Sequence, residues 1–161
     1  MSTFARPKFG TPAALTITLA DGTNGLASGQ ARQSTLVDNS TTRYDIIHLF
    51  CKVTVGLTTN NPALKAGSIR LHELRGDGTR RTDGAGAADA DIVIATAPRI
   101  ALVRVPATSS TVREFYARIV HPGLEWGVAL EHNTGDELDP TAANHSIFWY
   151  GEHMEHEDQG A

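Results

Sequence analysis

Two stretches near the carboxyl end decide the fold: Leu124-Glu125-Trp126-Gly127-Val128-Ala129-Leu130-Glu131-His132-Asn133-Thr134-Gly135 and Ser146-Ile147-Phe148-Trp149-Tyr150. In the first, Trp126, Val128 and Leu130 alternate with polar or small residues. This period of two predicts a β-strand with one buried face. Turn residues follow, because Asn and Gly tolerate positive φ, and the chain then returns as an aromatic-rich strand. Both tryptophans lie in this pair, which we interpret as the centre of a β-sandwich core.

The rest of the chain repeats the pattern in short segments separated by turn residues. The strongest segment is 44–55, where Ile47, Leu49 and the alternate residues after them form one apolar face. Its first half is apolar on both faces, so we expect it to be covered twice, by the core and by a loop or a subunit. Segment 112–120 mixes aromatic and β-branched residues with charges, which favours a strand over a short helix. Further strands are predicted at 13–20, 68–75, 92–94 and 99–105.

This pattern predicts an all-β protein with eight to nine strands. We expect a two-sheet antiparallel sandwich, jelly-roll-like, because the turn signals recur along the chain and no long amphipathic helix is indicated. The 161 residues suit one domain. We place that β-sandwich (jelly-roll) domain at 13–151, after an extended N-terminal arm at 1–12 and before an acidic C-terminal tail at 152–161.

Composition excludes several classes of function. The formal charge of −4 argues against a nucleic-acid binder, which needs clustered Lys and Arg. No apolar run approaches the ~18 residues of a membrane helix, and no signal peptide is recognised, so we expect synthesis in a cytoplasm. The single cysteine, Cys51, excludes an internal disulfide and is expected to be a buried structural thiol.

The sequence nominates no catalytic residue. It contains no Gly-x-Ser-x-Gly elbow, no His-Glu-x-x-His motif and no phosphate loop, so we expect neither an enzyme nor a cofactor.

Two clusters contain residue types that bind metals, but we favour an ordinary polar tail for the first and a solvated or partner-contacting loop for the second. His153 and His156 would share a face with nearby carboxylates if the carboxyl-terminal tail were helical. The aspartates of the loop at 76–91 lack the spacing of a calcium loop, and Arg80 and Arg81 would oppose a cation. We therefore predict no metal.

Two segments are predicted to contact a partner. The loop at 76–91 carries no large apolar side chain, so we expect it to be mobile or shaped by a partner, with Arg80, Arg81 and Asp83 as the contact residues. The amino-terminal arm has no periodicity and is either a frayed tail or an arm that docks on a neighbour. Its two phenylalanines favour an arm.

Several motifs resemble those of small virion proteins of tailed bacteriophages. They are Ala27-Ser28-Gly29-Gln30-Ala31-Arg32-Gln33-Ser34, then Val37-Asp38-Asn39-Ser40-Thr41 and a long apolar strand, and finally Trp126-Gly127-Val128-Ala129-Leu130 with Asn133-Thr134-Gly135, Leu138 and a last aromatic strand. Within that group the chain looks most like the jelly-roll decoration (cement) proteins of phage capsids. The resemblance covers roughly residues 13–151.

The resemblance implies a non-enzymatic protein that binds the outside of the major capsid protein shell, as a homotrimer, and stabilises it. The protein would then be made in the host cytoplasm and end on the virion surface. Phe4, Arg6, Lys8 and Phe9 would form the docking arm. The alternative of another class is a receptor- or carbohydrate-binding sandwich of a phage tail or baseplate, with the aromatic residues 148–150 as a sugar platform.

Overall fold

The structure is a computed structural model that describes residues 3–56, 67–106 and 111–158. These ranges contain eleven β-strands, two short 3₁₀ turns (Thr82–Gly84 and Ala142–Asn144) and no α-helix. The strands are β1 (Thr3–Phe9), β2 (Ala13–Ala14), β3 (Ala31–Gln33), β4 (Val37–Asp38), β5 (Ile46–Val55), β6 (Gly67–Gly76), β7 (Ala90–Asp91), β8 (Arg99–Val105), β9 (Thr111–Val120), β10 (Glu125–Asn133) and β11 (Ser146–Asp158). No helix in the described ranges is long and apolar enough to cross a membrane.

The strands form two antiparallel sheets packed as a sandwich, which confirms the predicted fold class. The first sheet has five strands in the order β1-β11-β5-β9, with β2 also paired to β11. The second has six strands in the order β7-β3-β10-β6-β8, with β4 also paired to β10. When the two-residue strands β2, β4 and β7 are set aside, the remaining eight follow the order 1-8-3-6 in one sheet and 2-7-4-5 in the other. This alternation between sheets is the jelly-roll connection.

The core lies between the two sheets and is built by the alternation that the sequence shows. The inward residues of β5, from Ile47 to Val55, meet Trp126, Val128 and Leu130 of β10 in one buried cluster. Trp126 is 0% exposed and contacts Trp149 edge-on, with ring centroids 4.9 Å apart. The two tryptophans therefore lie in the core, as predicted, but their strands belong to different sheets and do not pair as a hairpin.

A second, smaller cluster covers part of the outer face of the second sheet. Leu74 and Ala129 point away from the main core and pack with Ala85 and Ala97 from the segment that connects β6 to β8. Ile92 and Ile94 pack against the same cluster. One outer face of the sandwich is therefore partly covered by the chain itself.

Two predicted strands are shorter or absent. In 13–20 only β2 is a strand. The next two residues bond to different sheets: Leu15 N–H donates to the carbonyl of Ile147 in the first sheet, and the Thr16 carbonyl accepts from the N–H of Thr35, which lies beside the second sheet. The segment crosses between the sheets instead of following one ladder. Residues 92–94 carry no strand, although Ile92 N–H donates to Ala31 C=O. The observed number of strands exceeds the predicted eight to nine because three pairings are only two residues long.

The segments that the sequence sets apart as arm and tail pair with each other. β1 lies antiparallel to residues 152–158 of β11, whereas β5 pairs with β11 only as far as Glu152. Beyond that residue β1 and β11 continue as a two-stranded ribbon, to which Lys8 and Glu155 add an ion pair of 3.0 Å. At its base the Tyr44 ring lies over Gly151, where a Cβ atom would come within 2.1 Å of the ring.

Candidate functional site

The outer face of the first sheet carries an unusual share of the exposed apolar side chains. Of the ten large hydrophobic residues that are exposed in the described ranges, seven lie on this face. They are Phe9, Phe50, Val112, Tyr116, Val120, Phe148 and Met154. Strand alternation explains the placement, because the residues between them point into the core. An apolar concentration of this kind is typical of an interaction surface.

Aromatic rings from four strands meet at the centre of this surface. Phe148, Phe50 and Tyr116 lie directly opposite one another on β11, β5 and β9. In the neighbouring row the ring of His48 stacks on that of Tyr150, with centroids 4.6 Å apart. From β1, Phe9 contacts Tyr150 edge-on at 5.8 Å. We call these six residues the aromatic face: Phe9, His48, Phe50, Tyr116, Phe148 and Tyr150.

His48 fixes the geometry of the aromatic face through two hydrogen bonds. Its Nε2 lies 2.8 Å from Oε2 of Glu152, and its Nδ1 lies 2.7 Å from the hydroxyl of Tyr116. A carboxylate only accepts, so Nε2–H donates to Glu152, and in the neutral imidazole Nδ1 then accepts from the Tyr116 hydroxyl. Both ring nitrogens and the Tyr116 hydroxyl thus have partners within the face. These bonds fix the orientation of the His48 and Tyr116 rings, and the aromatic face presents mainly carbon to the outside.

Charged residues of both signs flank the rings. Lys52 and Glu114 face each other across β5 and β9 at one end, and Arg118 lies opposite His48, beside the row formed by the His48 and Tyr150 rings. A shallow depression of about 360 Å³ opens between Phe50, Phe148, Lys52 and Glu114. The surface therefore combines an apolar centre with a mixed-charge rim, the composition of protein interfaces.

The structure places Cys51 where it cannot act as a nucleophile. The thiol belongs to the main core and is 3% exposed. Burial raises its pKa to about 12, so the reactive thiolate is scarcely populated at neutral pH. The predicted buried structural thiol is confirmed.

The residues weighed as metal ligands do not gather into a site in the described part of the chain. No group of three or more His, Cys, Asp and Glu side chains there could hold an ion. His153 and His156 both lie in strand β11. The helix that would place residues three apart on one face is therefore not formed there.

The predicted arm residues divide between two surfaces. Phe9 is 57% exposed and joins the aromatic face. Lys8 lies opposite His153 and Arg6 lies opposite Glu155 in the β1–β11 ladder. Both cations point to the face of the ribbon that is turned away from Phe9. Phe4 is part of β1, but its side chain lies outside the described residues. Their contact with a partner stays a prediction.

The predicted loop residues make contacts inside the chain. Arg81 forms a two-point ion pair with Glu125, Nε to Oε2 at 2.9 Å and Nη2 to Oε1 at 3.2 Å. The hydrogen bond from Arg81 lowers the pKa of Glu125. Asp83 binds the segment that leads into β8, and Arg80 is exposed. These contacts give the loop a shape of its own, and its role towards a partner stays a prediction.

Asp83 closes this loop with a cluster of hydrogen bonds. Its carboxylate accepts from the backbone N–H groups of Ala95, Thr96 and Ala97 at 3.1, 2.7 and 2.9 Å, and from the Thr96 hydroxyl. Partial burial raises the pKa of Asp83, but the Thr96 hydroxyl and the three N–H groups outweigh it and lower the pKa to about 2. Its φ of 54° is a conformation that Asp and Asn tolerate.

We expect Asp83→Asn to lower the free energy of unfolding by about 1–2 kcal/mol at neutral pH, because the charge-assisted hydrogen bonds weaken. The folded-state pKa is lowered, so the carboxylate contributes fully above its ordinary value of 3.8 and loses that contribution as the pH falls to about 2. The difference between the two proteins should therefore shrink over that window. Urea unfolding across pH measures it; a difference that does not change with pH would contradict the role of the charge.

The aromatic face was only partly visible in the sequence. Alternation predicted that Phe148 and Tyr150 point away from Trp149, and the structure confirms it, with Phe148 48% exposed and Trp149 packed on the core. The first half of β5 is apolar on both faces, and this pattern indicated that the face with His48 and Phe50 is also covered by something. The contribution of Tyr116 was missed, because it depends on the register between β5 and β9.

No protein-family model matches the sequence, and no curated protein matches it.

Proposed function

We propose that this chain is a structural protein of a tailed-phage virion, a decoration (cement) protein that binds the outside of the major capsid protein shell and stabilises it. One observation carries the proposal: seven of the ten large apolar residues exposed in the described ranges lie on one face of a sandwich. A rigid sheet with an apolar face and a mixed-charge rim suits lasting contact with protein. The phage setting comes from the sequence resemblance.

The ribbon supports the same proposal. β1 and the end of β11 extend past β5, where they have strand partners only in each other within the described ranges. An isolated pair of strands is only marginally stable in water, so a partner that covers the ribbon would stabilise it. Arg6 and Lys8 are the cations of a ribbon that also carries four carboxylates, and they would meet acidic residues of the shell, while Phe9 would supply an anchor.

The proposed role requires no catalytic group and no cofactor. A cement protein works by bridging shell subunits, so that the free energy of its binding is added to the stability of the shell. The net charge of −4 fits a protein that binds protein and not the nucleic acid inside. We place it on the capsid surface, after synthesis in the host cytoplasm; the resemblance implies a homotrimer.

Co-sedimentation with empty shells of the same phage's major capsid protein tests the proposal. We expect saturable binding and a higher temperature of shell disruption when the sites are filled. Bovine serum albumin at equal concentration controls for trapping in the pellet. Absence of saturable binding would contradict the capsid role.

A tail or baseplate module that binds carbohydrate is the second candidate, because Phe50, Tyr116 and Phe148 present half-exposed rings on which a sugar could stack. The Tyr116 hydroxyl and both nitrogens of His48 are already hydrogen-bonded, which leaves fewer groups to recognise sugar hydroxyls. A glycan array separates the candidates: specific sugar binding without shell binding would replace the first with the second.

A further inference from the structure

We infer that a second copy of this chain packs its own aromatic face against the aromatic face described above, so that sandwiches associate in pairs. This contact goes beyond the capsid role and uses the same face, so in a pair of subunits the ribbon is the surface left to dock on the shell. The seven exposed apolar residues are 39–57% exposed, so no segment in the described ranges covers them. The outer face of the second sheet, in contrast, is partly covered by the segment between β6 and β8.

The chemistry of the face selects a flat and apolar occupant. The polar atoms of His48 and Tyr116 bond within the face, so an occupant need not supply hydrogen bonds to them. Phe50, Phe148 and Tyr116 form a row across three strands and present ring carbon. Two such faces pack as the two sheets of a sandwich do, at a spacing of about 10 Å.

The size of the face matches what a pair of subunits needs. Strands of ten residues, such as β5 and β9, are roughly 30 Å long, and four neighbouring strands are about 19 Å wide. Two copies in contact would therefore bury on the order of 1,000 Å², the lower limit of specific interfaces.

The charges of the face complement those of its own copy. Lys52 and Glu114 lie at one end, and Arg118 and Glu152 lie towards the other. A copy turned end for end about a two-fold axis brings Lys52 towards Glu152 and Glu114 towards Arg118, in each subunit. The charges of the face are therefore complementary to those of a second copy, which favours that copy as the occupant.

A contact of this kind joins subunits in twos. The trimer implied by the resemblance would need a different contact, so the molecular mass in solution decides between them. Sedimentation equilibrium of the full chain over a dilution series should give twice the chain mass of 17.2 kDa at the concentrated end.

Phe50→Glu places a charge at the centre of the face and should weaken association at least about tenfold. The matched control is Leu102→Glu, because Leu102 is 46% exposed against 47% for Phe50 but lies on the other sheet. We expect the control to associate as the unsubstituted chain does. Tyr116→Lys serves as a second test on a neighbouring strand, and circular dichroism verifies that each variant is folded.

Four results would overturn the inference. The first two are an unsubstituted chain that is monomeric throughout the dilution series and one that forms a trimer. The third is association that is unchanged in the folded Phe50→Glu and Tyr116→Lys variants. The fourth is a Leu102→Glu control that weakens association as much as Phe50→Glu does. If the chain is monomeric but Phe50→Glu abolishes shell binding, the shell covers the face and the second copy does not.

Discussion

Replacing Trp126 with alanine lowers the free energy of unfolding by about 3–5 kcal/mol. The indole is 0% exposed and meets Trp149 at 4.9 Å between ring centroids. Ladders on both sides of β10 hold the sheet in place, so the cavity cannot collapse. Because domains are stable by only about 5–15 kcal/mol, a large part of the native stability is lost. Urea unfolding at neutral pH measures the change.

Trp126→Phe is the control for this prediction. The indole Nε1 has no hydrogen-bond partner in the described structure, so phenylalanine gives up volume without giving up a hydrogen bond. We expect a cost of about 1–2 kcal/mol. A loss below about 1 kcal/mol for the alanine variant would mean that the tryptophan pair does not hold the sheets together.

Deletion of residues 1–9 should reduce the affinity for capsid shells at least about tenfold, if the ribbon docks on the shell. The deletion removes β1, including Phe9 from the aromatic face and the cations Arg6 and Lys8. The sandwich should stay folded, because its main core contains no residue of β1. Co-sedimentation over a concentration series measures affinity, and thermal unfolding verifies the fold.

A charge control separates docking from a general effect of positive charge. Removal of Lys8 with Lys8→Ala should weaken shell binding more than Arg104→Ala, since Arg104 is an exposed cation on the second sheet. The difference should shrink at high salt because screening weakens contacts between exposed charges. Shell binding that is unchanged after the deletion of residues 1–9 would contradict the docking role of the ribbon.

The sandwich could be predicted because its inner strands alternate strictly. Trp126, Val128 and Leu130 fix the buried face of β10, and Ile47 and Leu49 fix that of β5. The full length of β11 could not be predicted, because residues 152–158 are polar and become a strand by pairing with β1 from the opposite end of the chain. Nothing local in the sequence signals such a partner.

The aromatic face was harder to predict than the core. Each ring is visible in the sequence, but their assembly depends on which residues of β5, β9 and β11 lie opposite one another. Asp83 shows the same limit, because an aspartate in a polar loop is expected to be solvated. It instead bonds to residues 95–97, which the fold brings back beside it. Strand register and contacts between distant segments are tertiary properties, and the periodicity of a sequence does not predict them.

Electron microscopy of purified virions, with an antibody label on this chain, tests the capsid role most directly. The label should decorate the outer surface of the head at regular positions and should be absent from virions that lack the chain. Such virions should also release their DNA at a lower temperature. Label confined to the tail or baseplate, on intact heads, would contradict the capsid role and favour the carbohydrate-binding module.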